Sequence, residues 1–137
     1  MFTVYSPGSY WPRLLPLSNN RFVTVRTDIS LGYRIAGSIF NSQQQAIGAS
    51  FIISSGMSYN PSITHFQGGF VVVWHEVRRI YYDIKLRLYD TNANAVSSAT
   101  LVSNSDSYVQ AWLIVKSLPS GGFVISWRSV GQPINSI

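Results

Sequence analysis

The chain has 137 residues, a net charge of +5 and no cysteine, and 46% of its residues are hydrophobic. This length and this apolar content suit one folded domain or a few small repeated units, and they exclude wholesale disorder. The lack of cysteine excludes disulfides, thiolate-bound zinc and a cysteine nucleophile, while two histidines and five acidic residues leave little material for catalysis.

The N-terminal segment Phe2-Thr3-Val4-Tyr5 has the composition of a β-strand. It lacks the charged and apolar regions of a signal peptide, so secretion would need a signal that lies outside this sequence. Since no apolar run approaches the ~18 residues of a membrane helix, we expect no membrane insertion.

The sequence repeats itself. A shift of 49 residues places Tyr10 on Tyr59 and then on Tyr108. A hydrophobic marker also recurs, at Phe22–Val25, Phe70–Trp74 and Phe123–Trp127. Self-similarity at such a period is typical of repeat architectures. We predict one repeat domain over 1–137, divided into an orphan outer strand (1–11), unit one (12–60), unit two (61–109) and a partial unit three (110–137).

Each unit contains four strand-like segments, which are clearest in unit two. Its first two segments are Ser62–Phe66 and Phe70–Glu76. The third, Tyr82–Asp90, alternates apolar and polar residues, the period of a half-buried strand. The fourth, Thr100–Ser103, aligns with Phe51–Ser54. No segment has a helical period, so we expect almost no helix.

The connection between the first two segments has a recurring composition. Gly68-Gly69 in unit two returns as Gly121-Gly122 in unit three, and Asn19-Asn20 stands there in unit one. Glycine and asparagine tolerate the positive φ angles of tight hairpin turns. We therefore predict a hairpin at each of these places.

These features predict an all-β fold of four-stranded antiparallel units of about 49 residues, arranged as β-propeller-like blades. A β-solenoid or a stacked-sheet array is the alternative. Closed propellers use about four to eight blades, so two full units and a partial one cannot close alone. Bare apolar edges aggregate, and we expect a partner at Phe2, Val4, Val124 and Trp127.

The chain resembles a tandem repeat of very large secreted or surface proteins of microbes. The resemblance is carried by Tyr59-Asn60-Pro61-Ser62-Ile63, Gly68–Trp74 and Ile84–Asp90. Arg26 departs from it, since a blade tryptophan is expected there. The resemblance implies propeller-like blades and a non-enzymatic structural or adhesive module, extracellular or at the cell surface, that assembles with further copies or units into a larger propeller, array or filament.

Five aromatic residues are candidates for ligand binding. They stand in or near equivalent loops: Tyr10, Trp11, Tyr59, Tyr108 and Trp112. Aromatic faces stack on sugar rings, and they also pack between blades. A lectin-like, glycan-binding propeller module is therefore the alternative function.

Catalytic and metal-binding patterns are weak. His75 and Glu76 are neighbours on a strand and point to opposite faces, so we interpret His75 as a surface histidine. The segment Asp90-x-Asn92-x-Asn94 matches the start of a calcium loop but lacks the loop's glycine and glutamate, which favours a turn. We predict no catalytic residue, metal or cofactor. The basic residues are scattered, and we expect no nucleic-acid partner.

Overall fold

The computed structural model describes residues 8–103 and 109–130. Over these ranges the chain forms three antiparallel β-sheets and one 3-10 turn, Ile29–Leu31, but no α-helix. The predicted all-β class is confirmed. The described part of the chain shows no closed barrel or propeller, and it contains no helix long and apolar enough to cross a membrane.

The first two sheets are four-stranded meanders in chain order, and the third has two strands. The first sheet consists of β1 (Ser9–Leu17), β2 (Arg21–Asp28), β3 (Arg34–Phe40) and β4 (Ala46–Ile52). The second consists of β5 (Ser58–Phe66), β6 (Gly69–Arg78), β7 (Tyr81–Tyr89) and β8 (Thr100–Ser103). The third consists of β9 (Val109–Ser117) and β10 (Phe123–Val130). The predicted unit boundaries remain a prediction.

The strand β4 begins earlier than the sequence alignment predicts, at Ala46 instead of Phe51. The side-chain carbonyl of Asn41 accepts hydrogen bonds from the backbone N–H groups of Gln43 and Gln45, both at 3.0 Å. The chain therefore reverses immediately after β3, and pairing resumes with Ala46 opposite Phe40.

The same turn recurs in the second sheet, at the segment that resembles a calcium loop. Asp90 accepts hydrogen bonds from the backbone N–H groups of Asn92 and Asn94, both at 2.9 Å. Ala93 has a φ of 62°, and Gln44 at the matching place in the first sheet has 68°. Because Asn41 and Asp90 have the same role, this segment is a repeated Asx turn.

The hairpins at the starts of the three sheets use pairs of residues with positive φ. The pairs are Asn19-Asn20 (59° and 55°), Gln67-Gly68 (47° and 77°) and Gly121-Gly122 (89° and 81°). The prediction is thus correct for the first and third sheets. In the second sheet the turn lies one residue earlier than predicted, because Phe66 already pairs with Gly69.

Gly69 is needed for close packing instead. A Cβ atom added there would lie 1.9 Å from the carbonyl oxygen of Tyr89 in the neighbouring strand. No side chain fits at that separation.

The sheets pack face to face, and the first interface joins the first and second sheets. Alternate residues of β6 (Phe70, Val72 and Trp74) are fully buried there. They form one core with Val23 and Val25 of β2, which are also fully buried. Burial of apolar surface on this scale is the main source of stability for such a stack.

The second interface uses the opposite face of the second sheet. Val71 and Val73 of β6 share a core with Leu113 and Val115 of β9. The apolar face of β7, predicted from its alternation, packs against the same core through Ile84, Leu86 and Leu88. The second sheet is therefore covered on both faces.

Candidate binding site and assembly faces

The three sheets share a β-bulge in their first strands. The bulge pairs Trp11-Pro12, Asn60-Pro61 and Trp112-Leu113 stand opposite single residues of the next strand. Those single residues are Arg26, Trp74 and Trp127. The register thus confirms that Arg26 occupies the tryptophan position of the other two sheets.

The bulges place large side chains in a strained backbone conformation. Trp11, Asn60 and Trp112 have φ angles of 50°, 51° and 51°. Bulky residues rarely adopt positive φ, whereas asparagine does so more readily. A bulge also re-aims the side chain that it carries. Both tryptophans are solvent-accessible, at 45% for Trp11 and 64% for Trp112.

An aromatic cluster surrounds Tyr59 at the junction of the first two sheets. The ring centroid of Tyr59 lies 5.9 Å from Trp11, 5.6 Å from Tyr33 and 6.2 Å from Tyr82. Tyr10 extends the cluster, 5.7 Å from Trp11. The structure therefore brings three of the predicted binding residues together.

The members of this cluster differ in accessibility. Tyr10 is half exposed, whereas Tyr59 is partly buried among its neighbours. Burial raises the pKa of the Tyr59 hydroxyl, and the nearby Tyr82 and Tyr33 raise it further. Tyr59 therefore stays neutral and packs between the sheets, while Tyr10 and Trp11 present ring surface to solvent.

The third sheet holds the other predicted residues. The guanidinium of Arg128 lies 4.6 Å from the ring centroid of Trp112, a cation–π contact. Tyr108 lies outside the described residues. The register pairs Ala111 with Arg128 as it pairs Tyr59 with His75, so Ala111 and not Tyr108 is the counterpart of Tyr59.

The outer face of the third sheet is open. Ile114 and Val124 are 51% and 50% exposed. The residues aligned with them in the second sheet are Ser62 and Val71, and both are buried against β9. Trp127, predicted at an assembly edge together with Val124, is 37% exposed. Phe2 and Val4 lie outside the described residues.

The junction between the second and third sheets shows how such a face is covered. The hydroxyls of Ser62 and Thr64 accept hydrogen bonds from the backbone N–H groups of Val115 and Ser117, both at 3.1 Å. Phe66 contacts Phe123 edge to face, with the ring centroids 5.0 Å apart. Strand β5 thus holds the third sheet through polar contacts with β9 and an aromatic contact with β10.

The outer face of the first sheet is polar at its centre. Arg26 forms an ion pair with Asp28 at 3.1 Å and donates a hydrogen bond to Ser38 at 3.2 Å. Burial raises the pKa of the Asp28 carboxyl, but hydrogen bonds from Ser30 and the charge of Arg26 lower it more, so this pKa lies below 3.8. Leu14 on the same face is 55% exposed.

The interpretation of His75 as a surface residue is wrong. Its side chain faces the third sheet and is 4% exposed, with the ring of Tyr82 at 6.1 Å. Burial lowers the pKa of His75 to about 4, and its Nε2 has no hydrogen-bond partner among the residues that the structure describes. Burial between sheets could not be seen from one strand's sequence.

The sequence did not identify Tyr33, Tyr82 and Arg13 as candidate binding residues. The first two align under the 49-residue shift, which was a usable signal. Arg13 had none, because its contact with the Asn60 side chain, at 3.4 Å, joins two sheets.

The described residues contain no group of three or more His, Cys, Asp or Glu side chains that could hold a metal ion. Scans against protein-family models, curated proteins and solved structures find no match for this chain. Its function must therefore be argued from the chemistry of its own surfaces.

Proposed function

We propose that this chain is a non-enzymatic structural or adhesive repeat module, built of propeller-like blades and working outside the cell or at its surface. Its copies associate head to tail through sheet faces. The observation that carries this proposal is the outer face of the third sheet, on which the apolar residues Ile114, Leu118 and Val124 are about half exposed. The low charge content, 11%, and the microbial surface repeats that the sequence resembles support the location.

The two internal junctions have the same order. In the first junction, the face of β2 that carries Val25 packs against the second sheet. In the second junction, the equivalent face of β6, which carries Val73, packs against the third sheet. In each case the following sheet contributes its opposite face. The corresponding face of the third sheet carries Val124. Within the described residues, the face that would come next in this order is the outer face of the first sheet.

The two free faces are compatible. Leu118 aligns with Phe66, and Phe22 aligns with Phe123, so a copied junction places Leu118 of one molecule against Phe22 of the next. The positive charge of Arg26 is balanced by Asp28 and does not repel Lys116 strongly. One heterologous contact of this kind, repeated, gives a filament or a closed ring.

Sedimentation velocity over a range of concentrations tests the association. We expect species larger than 15.3 kDa that grow with concentration, and a shift towards monomer in Val124→Lys. The matched control is Val96→Lys, at a residue 61% exposed outside this face, which should associate like the parent. A monomer at every concentration would contradict the proposal.

A second function, lectin-like glycan binding, is favoured by the exposed rings of Tyr10 and Trp11. Half-exposed aromatic side chains held in place by neighbouring rings offer the flat apolar surface that sugar rings stack on. Loss of retention on immobilised glycans in Trp11→Ala would support it, and no retention of the parent protein would exclude it.

A further inference from the structure

We infer that the bulge row, defined as Trp11, Asn60 and Trp112 with the adjoining Arg13 and Arg128, binds an oligosaccharide that carries acidic groups. This inference rests on the glycan-binding function and adds the class of glycan. It concerns a surface that runs across all three sheets, beyond the aromatic cluster around Tyr59.

The row is continuous because the strands that carry it are neighbours. Strand β5 packs against β1 on one side and β9 on the other. Trp11, Asn60 and Trp112 hold the same bulge position in these strands. Two exposed tryptophans and one asparagine therefore hold equivalent positions in three neighbouring strands.

The backbone strain at the bulges bears on the use of the row. A positive φ at tryptophan destabilises the folded chain, and a ring that stays exposed contributes little hydrophobic stabilisation in return. Yet the bulge presents an exposed tryptophan in two of three sheets, at φ angles of 50° and 51°. Strained residues of this kind cluster where a ligand is held.

The charge of the row points to an acidic ligand. The described carboxylates are engaged elsewhere: Asp28 with Arg26, Asp83 with Arg78, Glu76 with Lys85, and Asp90 within its own turn. Within the described residues, Arg13 donates to Asn60 and to the carbonyl of Pro12, and Arg128 stacks on Trp112. The guanidinium of Arg128 thus lies on an indole ring and that of Arg13 beside the Asn60 amide, and a guanidinium offers donors for a carboxylate or a sulfate.

A glycan fits the row better than a nucleic acid does. Single-stranded nucleic acids need a basic groove that follows the whole backbone. The row has two arginines, Arg13 against the amide of Asn60 and Arg128 against Trp112, and an amide donates to and accepts from hydroxyl groups. Rings, amide and separated positive charges match a sugar chain with occasional acidic groups.

Tryptophan fluorescence titration with oligogalacturonate tests the inference. The matched ligand is the same oligosaccharide with its carboxyl groups methyl-esterified, which keeps the sugar rings and removes the charge. We expect the acidic form to bind about tenfold more tightly, a difference of about 1.4 kcal/mol. The Arg13→Gln/Arg128→Gln variant should lose this preference, whereas Arg34→Gln, at an exposed arginine outside the row, should keep it.

Each other outcome overturns a defined part of the argument. Equal binding of both forms overturns the acidic class but leaves glycan binding intact. No binding of either form, with no retention on other glycans, overturns both. Preference for the acidic form that survives in the double variant shows general attraction to a basic protein. Tighter binding of an oligothymidylate than of oligogalacturonate assigns the row to nucleic acid.

Discussion

His75 shows how one residue can make stability depend on pH. The side chain is buried in its neutral form, and its folded pKa is about 4 against 6.5 in the unfolded chain. Between these values the unfolded state binds a proton that the folded state does not bind. The free energy of unfolding is therefore unaffected by His75 protonation above pH 6.5, and it decreases as the pH falls from 6.5 towards 4.

We predict that the free energy of unfolding decreases by up to about 3 kcal/mol over this interval. Urea unfolding at a series of pH values measures it. In His75→Phe the decrease should largely disappear, because no proton is taken up there on unfolding. His65→Gln, at the exposed histidine, should leave the decrease intact. An unchanged pH profile in His75→Phe would contradict the burial argument.

Arg26 supports a buried carboxylate. We predict that Arg26→Met lowers the free energy of unfolding by about 1–3 kcal/mol, because Asp28 loses its ion pair while it stays buried. The pKa of Asp28 should rise in the variant. Chemical denaturation and carboxyl NMR titration measure the two effects. The control Arg34→Met removes an exposed charge, and the prediction fails if both variants lose the same stability.

At the scale of single elements, the hairpin of β5 and β6 separates two uses of glycine. Gly68 has a φ of 77° and open space around it, whereas Gly69 is in contact with the backbone of β7. The sequence showed only that two glycines mark a turn. Which of them forms the turn is decided by the pairing of Phe66 with Gly69 and by the approach of Tyr89, a contact distant in sequence.

We predict that Gly69→Ala lowers the free energy of unfolding by more than about 2 kcal/mol, since the strands must separate to admit the methyl group. Gly68→Ala should cost about 1 kcal/mol, the penalty of a positive φ without a clash. Thermal unfolding ranks the two variants. If Gly68→Ala were the more destabilising variant, the positive φ of the turn would matter more to the stability of this hairpin than the close approach of Gly69 to Tyr89.

At the scale of the whole molecule, the repeat predicted most of the architecture. Period-two alternation and recurring turns indicated strands and hairpins, because both depend on residues near one another in the chain. The site was only partly predictable. Tyr10 and Tyr59 were chosen by alignment, and Trp11 because it stands beside Tyr10. Tyr108 was aligned wrongly, since the register of the third sheet places Ala111 opposite Arg128 as Tyr59 stands opposite His75 in the second. The burial of His75 depends on a neighbouring sheet.

The most direct test of the proposed assembly mixes two variants that each block one face. Val124→Lys charges the outer face of the third sheet, and Leu14→Lys charges that of the first, while each variant keeps the other face intact. Sedimentation velocity of the separate proteins should show monomers, and the equimolar mixture should show a dimer and nothing larger. Failure of the mixture to form dimers, or full assembly of Leu14→Lys alone, would contradict head-to-tail stacking.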